Sequence, residues 1–100
     1  MGLEKRSVFV VSDRTGLTAE ELARSLLTQF PLVHFVTTVL PFVDSDDKLK
    51  DALRQINESS VSDGSRPIVF FTFVNADYRK QIGKANALVI DVFSSFMGLL

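Results

Sequence analysis

An open α/β fold, with one parallel sheet lying between layers of helices, is what this 100-residue sequence predicts. Three observations carry the expectation. Four short apolar runs, at 7–12, 33–40, 67–74 and 87–92, alternate with three stretches of helical periodicity. The first and third runs are continuously apolar and rich in β-branched and aromatic residues, the pattern of parallel strands covered on both faces. Each link between runs is long enough for a helical crossover. Right-handed crossovers leave few topologies, and the order 2-1-3-4 places the two most apolar runs side by side with helices on both faces. The result is a three-layer Rossmann- or flavodoxin-like sheet of four strands.

Residues 7–12 (Ser7-Val8-Phe9-Val10-Val11-Ser12) form the first, central strand. The following helix is expected to open at Thr18 as N-cap, with Glu21 completing a capping box and Leu17 and Leu22 forming a staple. Its apolar stripe is Ala19, Leu22, Ala23, Leu26, Leu27 and Phe30, and Pro31 ends it. The second run mixes His34, Thr37 and Thr38 with apolar residues, which suits an edge strand. Asp44, Asp46 and Asp47 open a second helix that runs to about Glu58 on the stripe Leu49, Ala52, Leu53 and Ile56, and residues 57–66 read as a polar connection. The third run leads into a short helix capped by Asn75, with Tyr78, Ile82 and Ala85 facing inward and Gly83 and Asn86 closing it. After the fourth strand, residues 93–100 begin another apolar helical pattern, so the chain is expected to be the amino-terminal domain, 1–100, of a longer protein.

Composition excludes several classes. With 46% apolar and 23% charged residues the chain is an ordinary globular domain. A formal charge of −1 gives no basis for nucleic-acid or anionic-membrane binding. The absence of cysteine removes disulfides and thiolate chemistry. No apolar run approaches the ~20 residues of a membrane span, and there is no signal-peptide core, so a cytoplasmic setting is the expectation. The acidic stretch from Asp44 lacks the glycine and glutamate of a calcium loop, having Leu49 and Gln55 there, and no metal site is expected. His34, the single histidine, is expected to be a bystander.

Candidate chemistry gathers in the turn from the first strand to the first helix. Gly16 permits a backbone angle closed to other residues, and Ser12, Thr15 and Thr18 bring hydroxyl groups to a helix start, the place where backbone amides meet anions. Asp13 could act as a base or magnesium ligand and Arg14 could clamp a phosphate; equally, the two could pair with each other or with water. In the order 2-1-3-4 this turn faces the end of the third strand, making Thr72, Asn75 and Asp77 crevice candidates, with Asp91 a weaker one. The same residues would serve as a plain helix cap if nothing binds. No nucleotide P-loop is present, because the single Gly-Lys pair, Gly83-Lys84, is followed by Ala85 and has Tyr78 where the first glycine belongs. Lipase-type and zinc-protease motifs are absent too.

The stretch 10–20, Val-Val-Ser-Asp-Arg-Thr-Gly-Leu-Thr-Ala-Glu, closely resembles the amino-terminal signature of the regulatory proteins of phosphoenolpyruvate synthase and of pyruvate, phosphate dikinase. Matches continue at 26–31, 40–44, 66–70 and 85–93. The resemblance implies a bifunctional enzyme that phosphorylates a threonine of its target with ADP as donor and removes it by phosphorolysis with inorganic phosphate, releasing pyrophosphate. Magnesium is a candidate accompanying ion. It also implies that the nucleotide loop lies in a carboxyl-terminal half, so that no catalytic residue carries over to this chain and the fragment alone is expected to be inactive. What carries over is the signature itself, at Ser12, Asp13, Thr15, Gly16 and Thr18. Recognition of the dikinase or synthase, subunit contacts between copies, or an accessory phosphate site are the roles it leaves. A second reading is a self-contained flavodoxin-like binder of phosphate or FMN, since Asp13-x-Thr15-Gly16-x-Thr18 approaches a flavin-phosphate loop.

Overall fold

Alternate side chains of a strand leave on opposite faces, so the unbroken run from Val8 to Val11 needs an apolar layer on each side. The computed structural model, which describes residues 4–92, supplies both. Its elements are β1 (Glu4–Ser12), α1 (Leu17–Leu27), β2 (Val33–Leu40), α2 (Asp46–Asp63), β3 (Ile68–Thr72), α3 (Ala76–Ile82) and β4 (Leu88–Asp91). All strands are parallel and their order is β2-β1-β3-β4, as the sequence predicts. Val8, Val10 and Phe70 pack with Ala19 and Ala23 of α1 on one face. On the other face Phe9, Val11, Val69 and Phe71 meet Leu49, Ala52 and Ile56 of α2 and Ile82 of α3. The expected helical pattern at 93–100 lies outside the described residues.

Three boundaries differ from expectation, each for a local reason. The first helix begins at Leu17 with Gly16 as its N-cap, so Thr18 caps nothing, the N-cap residue makes no side-chain hydrogen bond, and the expected capping box and staple do not form. Leu17 is exposed instead. The same helix stops at Leu27: Gln29 and Phe30 donate to carbonyls only three residues back, Thr28 Oγ1 donates to the Ser25 carbonyl at 2.7 Å, and Pro31 bars Phe30 from helical geometry. Phe30 therefore drops out of the buried stripe, and Leu26, in the last turn, is exposed as well.

The second helix runs five residues further than its apolar pattern indicates, because its polar tail has partners. Asn57 Oδ1 accepts the Asn86 N–H at 3.0 Å, and Ser60 Oγ, buried, accepts the Asn86 amide at 2.7 Å. Arg54 bonds Asp51 and Glu58 on the exposed side, and Gly64 ends the helix at φ 68°, a left-handed cap. Asp63 accepts from Ser7 of β1 and from Ser59, and the Ser7 hydrogen bond is the largest influence holding its carboxyl below the usual range.

The residue that joins sheet to site is Phe73, 1% exposed, just past β3. Its ring lies 5.8 Å from that of Phe71 and stands edge-on to Tyr78 at 5.9 Å, tying β3 to α3 beneath the following loop. Phe73→Ala should lower the unfolding free energy by about 3–5 kcal/mol, measured by urea denaturation.

Candidate functional site

Beyond the carboxyl ends of β1 and β3 a cleft of about 480 Å³ is lined by Ser12 to Ala19 on one wall and by Thr72, Phe73 and Val74 on the other, with Val92 at the side. It lies where strand order reverses: β1 leads to a neighbour on one flank, β2, while β3 occupies the other. Loops leaving such ends diverge, which is the general reason that open sheets bind ligands there.

The floor is a hydroxyl pair. Ser12, 3% exposed, and Thr72 stand opposite one another in the β1–β3 register, with Oγ1 of Thr72 2.9 Å from Oγ of Ser12. Ser12 Oγ also accepts the Arg14 N–H at 3.1 Å. Two hydroxyl groups carry two protons, and the bond between them uses one. One O–H at the cleft floor therefore remains to donate.

Three further ties fix the loop above that floor. Val74 N–H donates to Asp13 Oδ2 at 3.2 Å, so the Asp13 carboxylate braces the loop after β3. Phe42 N–H donates to the Arg14 carbonyl at 2.8 Å and Val43 N–H to the Ser12 carbonyl at 2.8 Å, strapping the β2–α2 connection across the turn. Phe42 adopts φ 58°, a left-handed conformation that a bulky residue seldom accepts and that costs on the order of 1–3 kcal/mol. The strap escaped the sequence reading, because nothing in Pro41-Phe42-Val43 marks a positive φ.

Gly16 turns the chain into α1 at φ 78°. The helix start is closed by no side chain; Thr15 Oγ1 accepts only the Leu17 N–H, at 3.4 Å. Leu17, Thr18 and Ala19, whose amides stand at the positive end of the α1 dipole, line the cleft. Among the described residues the Arg14 guanidinium has no acidic partner, so the alternative in which Asp13 and Arg14 pair is not the arrangement found.

The structure brings Ser12, Asp13, Arg14, Thr15, Gly16, Thr18 and Thr72 to one cleft. It does not bring Asn75 and Asp77 to its wall. Asn75 Oδ1 accepts the Asp77 and Tyr78 amides as the cap of α3, and Asp77 Oδ2 accepts from Gln81 at 2.7 Å. His34 is exposed on β2, away from the cleft. Among the described residues, no group of three or more histidine, aspartate or glutamate side chains is placed to hold a metal ion, and no helix is long and apolar enough to cross a membrane.

An open parallel sheet with a cleft at its switch point, beyond the carboxyl ends of β1 and β3, defines an open-sheet α/β domain. Residues 8–100 match the family model described as kinase/pyrophosphorylase, and the chain belongs to that family. It is 44% identical over 96 residues to a Pseudomonas aeruginosa protein named "Putative phosphoenolpyruvate synthase regulatory protein". Proteins of the same name from Alcanivorax borkumensis and Methylobacillus flagellatus are 43% and 48% identical over 93 and 95 residues. The matches cover 93–96% of this chain and 34–35% of each relative, so the chain spans about a third of the length of the curated relatives it matches.

Gly16 offers a direct check on the cleft wall. A Cβ there would lie 3.5 Å from Ser12 Cβ and Val39 Cγ1, ordinary contacts, so the cost of substitution is in the backbone alone. Gly16→Ala should destabilise the fold by about 1–2 kcal/mol, read from the shift of the urea midpoint.

Proposed function

We infer that this chain is a non-nucleotide domain of a bifunctional kinase/pyrophosphorylase, and that its cleft holds a phosphate or a phosphorylated side chain. The target would be phosphoenolpyruvate synthase or the related pyruvate, phosphate dikinase. The full enzyme would place phosphate on a target threonine using ADP and remove it with inorganic phosphate, releasing pyrophosphate, in the cytoplasm. The observation that supports this most is the combination of the family match with a cleft floor that keeps one hydroxyl donor uncommitted beneath an open helix start.

Residues 1–100 contain no glycine-rich loop ending in Lys-Ser or Lys-Thr, and the cleft wall has no lysine. No step of ADP chemistry is therefore assigned to them. What they can do is orient an anion: the one free O–H of the Ser12–Thr72 pair donates from below, the first-turn amides of α1 from the side, and Arg14 closes over it as a planar fork. Phosphoryl transfer needs chiefly such positioning and charge neutralisation. The FMN alternative is the less favoured reading: among the described residues Phe73 is the aromatic side chain on the cleft wall, and it is buried.

Two measurements on the isotope-labelled chain test the reading together. Titration with inorganic phosphate should shift the amide resonances of Arg14 to Ala19 and of Thr72 and Val74, and Arg14→Ala should weaken binding by roughly tenfold. Incubation with ADP and phosphoenolpyruvate synthase should leave the synthase unphosphorylated. Phosphate shifts elsewhere or nowhere would remove the anion site, and a phosphothreonine on the synthase would show that this chain carries the catalysis itself.

A further inference from the structure

The cleft wall carries a charge of the wrong sign for a simple anion hole. Asp13 is half-buried there, the one acidic side chain among the described residues that line the cleft. Its Oδ2 accepts the Val74 N–H at 3.2 Å. Among the described residues Oδ1 has no hydrogen-bond partner, and no lysine, arginine or histidine pairs with either oxygen. Beside it, Ser12 Oγ accepts from both Thr72 Oγ1 and the Arg14 N–H, so Ser12, 3% exposed, keeps a proton with no acceptor. Donors therefore come from the Ser12 hydroxyl, the α1 amides and the Arg14 guanidinium, while Asp13 Oδ1 is an acceptor held in place by the bond its sister oxygen makes to Val74.

An anion with no proton of its own would meet Asp13 as a like charge, which disfavours the ionised form of both groups. A ligand that brings an O–H turns the same contact into a charge-assisted hydrogen bond. We infer that Asp13 makes the cleft selective for a tetrahedral oxyanion that retains a proton, inorganic hydrogenphosphate, against sulfate and against phosphate monoesters in their dianionic form. The inference rests on the reading of the cleft as an anion site and narrows it from phosphate in any form to free phosphate.

The match is one of donors and acceptors. Hydrogenphosphate has three oxygens that only accept and one that donates, as the cleft requires. Sulfate has no proton to give. A monoester such as phosphothreonine loses its second proton at about pH 6 and above that has none either, whereas inorganic phosphate keeps at least one throughout the neutral range. A metal ion set between carboxylate and anion would find Asp13 as its one carboxylate ligand among the residues lining the cleft, while a shared proton needs a single oxygen on each side.

Three dianions of similar size separate this selectivity from plain charge attraction. At about pH 8 with EDTA present, inorganic phosphate, sulfate and methyl phosphate all carry about two negative charges, and phosphate alone keeps an O–H. Titrated into the isotope-labelled chain, phosphate should shift the amide resonances of Asp13 to Ala19, Thr72 and Val74 with a dissociation constant roughly tenfold or more below those of sulfate and methyl phosphate. Asp13→Asn keeps a carbonyl oxygen for the Val74 N–H and offers the ligand an amide N–H in place of the acceptor, so sulfate should bind this variant as tightly as phosphate does. Loss of the Val74 brace alone would weaken all three anions alike and leave their ratio unchanged. Should Asp13→Asn fail to fold, the wild-type series decides by itself. Sulfate or methyl phosphate binding the wild type as tightly as phosphate would leave the anion site standing and overturn the role of Asp13. Undiminished selectivity in Asp13→Asn, or selectivity that emerges only when magnesium is added, would overturn it as well. Shifts with none of the three would remove the anion reading and this inference together.

Discussion

The structure depends on β1 having a parallel neighbour on each side. Its carboxyl end is thereby fixed between β2 and β3, and the connections that leave it are forced apart. Without that arrangement there is no cleft. Ser12 and Thr72 lie opposite each other only because β1 and β3 are direct neighbours in register, and the Val43 and Phe42 amides reach the turn only because β2 lies on the other flank. The apolar run of β1 is therefore at once the centre of the core and the mounting for the candidate site.

Rigidity is unevenly distributed around this mounting. The turn from Ser12 to Gly16 is held by hydrogen bonds from the loops after β2 and β3, one of them donated by Phe42 in a left-handed conformation. Arg14 and Thr18 above it are exposed. Under the proposed function, the exposed Arg14 guanidinium would close over an anion resting on this braced floor.

Much of the fold was legible because its signals are local and strong. Two continuous apolar runs located the central strands, and Asn75 announced the cap of α3 that the structure contains. The misreadings come from interactions that no local pattern carries. The tail of α2 is helical because Asn57 and Ser60 spend their polar atoms on Asn86, 29 and 26 positions away. Thr18 looked like a cap because Glu21 follows at the right spacing, yet Gly16, able to take a positive φ, turns the chain two residues earlier. At the site, the residue types were readable from the turn itself. The bracing by Val74 and the strap from Phe42 and Val43 depend on tertiary approach and were not.

The account stands on the carboxyl ends of β1 and β3 being locked side by side through their hydroxyl groups. A double-mutant cycle measures that contact directly: unfolding free energies of the wild type, Ser12→Ala, Thr72→Val and the double variant yield the coupling between the two side chains. A coupling of about 1 kcal/mol is the expected result for a part-buried hydrogen bond. Strict additivity would mean that the two groups do not meet, and the cleft floor described here would not exist.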